Sequence, residues 1–212
     1  MKRALVIVDG IRTNPGIRQD IKNSKFPTLR YEKIIRAKTE EVFDTTIPWY
    51  IRWVPFVNNW YDQYLSDVLA LFKNKTARMA ACREVRSTIK ILQAEGYEVD
   101  VLAYSLGTLI ALTCASQSDD EKTRIGTLSL FNSPLGFAVP YLGFRCRSFV
   151  RKYGKNLSAE NLKCVYGAKD IVSKNCLKKA KDIIDGFSIE PPIYRQTQEK
   201  HDLVANINAC YK

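Results

Sequence analysis

The sequence predicts an α/β fold, a mostly parallel sheet of about five or six strands with helices on both faces. Two observations carry this. Apolar, β-branched runs of strand length alternate with helical apolar patterns along the chain. One such pair, residues 97–117, joins strand to helix through a single sharp turn. The length of 212 residues and the 46% hydrophobic content suit one sizeable core, so a single domain over 1–212 is expected.

A strand at 4–9 opens the fold. Ala4, Leu5, Val6, Ile7 and Val8 form an unbroken apolar run, as in a strand covered on both faces. Residues 12–30 read as a loop, with a turn at Asn14, Pro15 and Gly16. Apolar spacing over 30–43 predicts an amphipathic helix, and the Ile, Trp, Tyr and Val content of 45–54 a second strand. Trp49, Tyr50, Trp53, Phe56, Trp60, Tyr61 and Tyr64 follow as an aromatic group. Large rings such as these build cores; lining an acyl pocket is the sharper reading. Helices are expected at 59–73 and 76–95, the latter stopped by Gly96. The next strand is 97–103 and its helix 106–117. A strand at 125–132 leads into Ser133 and Pro134, and 137–155 is both aromatic and basic. A strand at 161–167, a helix at 174–185, a short strand at 187–189 and a helix at 202–210 complete the chain.

The turn after strand 97–103 carries Ser105 between Ala103 and Gly107. A strand and a helix that pass this closely need small residues on either side of the turn. The serine then projects at the end of the sheet, beside backbone N–H groups left open at the helix start. An ordinary strand-to-helix turn is the bland alternative. The chain's one histidine, His201, lies near the C-terminal end, and Asp170 follows the strand at 161–167. An activated serine needs a base, and the base needs a group to orient its ring. Asp182, Asp185 and Asp202 compete for that last role. The first two fall on a predicted helix, and Asp202 adjoins His201 in a poor orientation for pairing with the ring.

The elbow at 103–107, Asp170 after a later strand and His201 before a terminal helix together resemble the α/β-hydrolase superfamily, in a small serine esterase or lipase-like form. Ala103 departs from the glycine common at that position, and alanine is small enough to keep the turn. The resemblance implies a minimal α/β-hydrolase fold, because a first strand at residue 4 leaves no room for the two strands that usually precede it. It also implies a triad, with Ser105 as nucleophile, His201 as base then acid and Asp170 as the orienting carboxylate. In that family the loop after the equivalent strand often reads His-Gly. Here Asp9 stands at the histidine's place, followed by Gly10, and the mapping makes the N–H groups of Ile11 and Leu106 the oxyanion donors. Segment 137–155 sits where family members often insert a lid. The implied activity is cleavage of a carboxylic ester, lipid-like or acyl, with a thioester also compatible, through an acyl-enzyme. No cofactor is implied. A serine peptidase is a weaker fit, since no peptide-binding features are visible.

Composition bounds the alternatives. The formal net charge is +11, which suits a solvated surface, an anionic surface or nucleic acid. A basic binding protein on a hydrolase-like scaffold is therefore the competing class, with the basic aromatic run at 144–155 as its support. The absence of a recognised nucleic-acid motif argues against that partner. No apolar run approaches the roughly 20 residues of a membrane span, and no secretory leader is visible, so a cytoplasmic location is expected. The six cysteines are then expected as free thiols. With one histidine and no Cys-x-x-Cys, a metal site is not expected.

Overall fold

The computed structural model describes residues 2–10, 16–37, 39, 71–72, 74–114, 123–137, 140–153 and 157–211. Six strands form one sheet: β1 (Arg3–Val8), β2 (Lys33–Arg36), β3 (Glu98–Tyr104), β4 (Thr123–Phe131), β5 (Leu157–Gly167) and β6 (Ile193–Thr197). Their order is β2-β1-β3-β4-β5-β6, and every neighbouring pair is parallel. The chain steps outward from β1 to β2, then returns to the other side of β1 and adds strands in one direction. The order thus reverses between β1 and β3, and ligand crevices in parallel sheets open at the carboxyl ends of strands at such a point.

Six helices are described: α1 (Ile17–Asn23), α2 (Lys75–Ala94), α3 (Gly107–Thr113), α4 (Pro140–Tyr153), α5 (Cys176–Asp185) and α6 (Leu203–Cys210). Alternation along the strands divides the core between the two faces. Val6, Val8, Val101, Ala103, Leu128 and Leu130 face one way, against apolar residues of α2, α3, α4 and α5. Leu5, Ile7, Leu102, Tyr104, Phe131 and Val165 face the other, against Ile17 and Ile21 of α1 and Leu203 and Ile207 of α6. Burial of each large aliphatic side chain contributes about 1.5–3 kcal/mol. Polar ends are closed locally. Asn74 Oδ1 accepts the Ala77 N–H (2.9 Å) at the start of α2, and Asp202 Oδ1 accepts the Ala205 N–H (2.9 Å) at the start of α6.

Far from the strand ends that carry Ser105, Asp100 forms a buried polar knot. Its carboxylate accepts from the Tyr31 hydroxyl (2.8 Å), the Thr127 N–H (2.6 Å) and Arg3 Nη2 (3.0 Å). Gly126 leaves room for it, since a Cβ there would lie 2.8 Å from Asp100 Oδ1.

Three expectations are corrected. Residues 33–36 are not helical: Lys33, Ile34, Ile35 and Arg36 form β2, where the β-branched pair packs one isoleucine toward each face beside β1. The stretch 12–30 is not loop throughout, because Ile17 and Ile21, one turn apart, anchor α1. Residues 187–189 make only an isolated bridge, Ser188 with Ala159, and the sixth strand lies further on at β6. The predicted strand at 45–54, the aromatic group at 49–64 and most of the helix at 59–73 lie outside the described residues. All six cysteines are free, and five are buried. Among the described residues no helix is long and apolar enough to cross a membrane.

Candidate functional site

Ser105 sits immediately after β3 with φ +52°, in the left-handed region that a non-glycine residue rarely occupies. The backbone bonds on either side hold it there. Its N–H donates to the Phe131 carbonyl (2.9 Å), extending the β3–β4 ladder by one step, and its own carbonyl accepts from the Thr108 hydroxyl (2.7 Å). Gly107 is a steric requirement, because a Cβ there would collide with the carbonyl oxygens of Val8 and Asp9 at the end of β1. Ala103, opposite, is fully buried.

The chain brings three distant side chains together. Ser105 Oγ lies 2.9 Å from His201 Nε2, and His201 Nδ1 lies 3.1 Å from Asp170 Oδ2. A carboxylate only accepts, so Nδ1 carries the proton and Nε2 accepts from the serine hydroxyl. Asp170 stands in the turn after β5 and His201 in the loop between β6 and α6, while Ser105 follows β3. The alternatives Asp182 and Asp185 are engaged elsewhere, with Arg151 (2.8 Å) and with Lys181 and Tyr194. Asp202 caps α6.

Asp170 is buried and densely bonded. Oδ1 accepts the Val172 N–H (2.8 Å), and Oδ2 accepts Ser173 Oγ–H (2.6 Å) and Asn132 Nδ2–H (2.9 Å) besides His201. Burial pushes its carboxyl up, but the hydrogen bond and charge of His201, with the Ser173 and Val172 donors, outweigh that and hold it below the usual carboxylate range. His201 is fixed from the side by Tyr104, whose ring lies 5.1 Å from the imidazole and whose hydroxyl donates to the His201 carbonyl (3.1 Å). Burial raises the Tyr104 phenol, so it remains a neutral donor. Gly167 lets the histidine loop pass close, since a Cβ there would strike the Glu199 carbonyl and approach Asp170.

The backbone beside the serine is glycine on the β1 side. A Cβ built on Gly10 would lie 3.7 Å from Ser105 Oγ and 3.6 Å from the Leu106 nitrogen, so this loop packs on the elbow. Leu106 is the N-cap of α3, where a backbone N–H lacks an intrahelical acceptor. Ile11, the other expected donor, lies outside the described residues. Asp9, at the place of the family's histidine, is buried and accepts Arg36 Nε–H at 2.5 Å. Burial pushes the thiols of Cys82 and Cys114 up and that of Cys146 up to about 12, so these stay protonated and unreactive. Among the described residues no cluster of His, Cys, Asp and Glu could hold a metal ion.

Sequence reasoning missed Tyr104, Asn132 and Ser173. Ser173 had a local signal, a hydroxyl three residues after an aspartate in a turn. Asn132 had none, because its partners lie 38 and 68 residues away.

No family model matches the chain, and neither does any curated protein. Solved structures do. A variant of SOBER1 from Arabidopsis thaliana is 13% identical, with 100% of this chain and 95% of that one covered at a TM-score of 0.55. Esterase PE8 is 12% identical, with 99% and 90% covered at a TM-score of 0.50. At these identities the likeness is one of fold. The chain has a minimal α/β-hydrolase fold.

Proposed function

We propose that the chain is a serine hydrolase that cleaves carboxylic esters through an acyl-enzyme, with Ser105, His201 and Asp170 as its triad. The observation that carries this reading is the unbroken series of contacts, 2.9 Å from hydroxyl to imidazole and 3.1 Å from imidazole to carboxylate. Chance rarely aligns three such groups from separate strand ends beside a left-handed serine. The fold likeness to a protein named esterase PE8 agrees with it.

In this mechanism Ser105 Oγ attacks the ester carbonyl as Nε2 takes its proton. The tetrahedral oxyanion accepts from the N–H groups of Leu106 and Ile11. The imidazolium then protonates the departing alkoxide, and the C–O bond breaks. A water, deprotonated by the same nitrogen, releases the acid. Asp170 holds the ring in the correct tautomer and stabilises its charged form. A lipid-like or other acyl ester is the substrate class of choice, with a thioester compatible by the same steps. The chain acts as one catalytic domain. The basic residues of α4 offer a surface for an anionic interface.

A fluorophosphonate probe tests this. The folded protein should be phosphonylated on Ser105, seen by peptide mass spectrometry. Ser105→Ala should take no label, His201→Ala should label only at background, and neither should turn over p-nitrophenyl butyrate. Full turnover by both variants, or an unlabelled folded wild type, would overturn the reading and favour the basic binding protein. That alternative predicts nucleic-acid affinity that falls steeply with salt.

A further inference from the structure

We propose that Asn132 is a positioning residue for the triad, a single amide that locks the acid and the base into register. The inference rests on the serine-hydrolase reading above and adds a residue to it.

Only two non-glycine residues among those described have positive φ: Ser105 at +52° and Asn132 at +53°. They occupy equivalent places. Tyr104 pairs with Phe131 across β3 and β4, so each left-handed residue follows its strand by one position at the same level of the sheet. The backbones do the same thing there. The Ser105 N–H donates to the Phe131 carbonyl, and the Asn132 N–H donates to the Val165 carbonyl (2.9 Å). Each residue continues the ladder by one bond and then turns away. Asparagine tolerates this conformation better than most residues.

The turn aims the Asn132 side chain, which is fully buried, at two targets. Nδ2 donates to Asp170 Oδ2 at 2.9 Å and to the Lys200 carbonyl at 3.2 Å. Both are acceptors, which fixes the orientation of the amide. Asp170 is the acid, and Lys200 is the residue immediately before His201. One nitrogen therefore spans the two segments whose separation sets the 3.1 Å acid–imidazole bond. The Lys200 carbonyl also accepts from Asn206 Nδ2 (2.9 Å), and Tyr104 holds the His201 carbonyl, so the loop is tied on either side of the imidazole. The remaining donors to Asp170, Ser173 and the Val172 N–H, come from its own turn and fix the carboxylate without reaching the histidine loop. Among these donors to the carboxylate, Asn132 also bonds that loop.

The test uses Asn132→Gly, which accepts φ +53° and removes only the amide, and Asn132→Asp, which keeps the shape but replaces the donor with an acid. The readout is the second-order rate of phosphonylation by the fluorophosphonate probe across pH. In that reaction Ser105 Oγ bonds to phosphorus, fluoride leaves and the hydroxyl proton passes to His201. For Asn132→Gly the plateau rate should fall by about ten- to a hundredfold, as expected when a reacting pair loses its alignment. Asn132→Asp should be slower still. A merely structural role predicts a lower Tm with the plateau unmoved, and that result overturns the proposal. So does Asn132→Asp at the wild-type rate. The Ser105→Ala and His201→Ala controls separate the two failures. If they keep reacting at the wild-type rate, the triad itself is wrong. If they are silent while Asn132→Gly matches wild type, only the role of Asn132 is wrong.

Discussion

At the scale of single residues the site depends on a buried carboxylate with more donors than a surface aspartate has. Asp170→Asn keeps the shape but reverses the hydrogen bond to Nδ1 and favours the wrong imidazole tautomer. A fall in kcat of about 10⁴-fold is expected with p-nitrophenyl butyrate. The same variant reports on stability. The folded protein holds the Asp170 carboxyl below the ordinary carboxylate range, so the unfolded chain takes up that proton first as pH falls. The stabilisation is whole above the ordinary carboxylate range and is lost on descending through it. Melting curves from pH 6 to about pH 3 should therefore drop less steeply for Asp170→Asn than for wild type. Ser105, Asp170 and His201 were legible in the sequence, because each residue type sat at a recognisable strand end or loop. Asn132 and Tyr104 were not. Their importance lies in partners across the sheet, and neither residue differs locally from an ordinary strand terminus.

At the scale of elements the elbow is the most constrained unit. Gly107→Ala should cost on the order of 3 kcal/mol in urea unfolding, since both the β1 carbonyls and α3 would have to move. An unchanged midpoint would show that the strand and helix can separate without strain. The β3–turn–α3 unit was readable because its apolar pattern switches period at one residue. Two edge strands were not. Only four residues long, β2 is too short to establish an alternation, and Ile34 and Ile35 fit a helical stripe equally well. At the other edge β6 is mostly polar and follows Pro191 and Pro192. It is defined by hydrogen bonds to β5 rather than by burial of its own side chains. The helix α1 escaped notice because seven residues after a proline–glycine turn carry little periodic signal.

At the scale of the whole molecule, the proposed triad and the buried Asp100 knot occupy opposite ends of the sheet. The knot of Arg3, Tyr31 and Asp100 ties β1, β3 and the chain before β2 far from Ser105. Tyr31→Phe should lower stability by about 1 kcal/mol and leave the phosphonylation rate unchanged. Melting and labelling measured on one preparation check both halves. The order β2-β1-β3-β4-β5-β6 has one more consequence. Ser105 follows β3, which lies between β1 and β4, whereas His201 follows β6, which among the described residues pairs on one flank only. Peripheral strands fray more readily than central ones. A brief unzipping of that margin would draw the imidazole away from the hydroxyl, so loss of the Ser105–His201 contact is expected ahead of global unfolding.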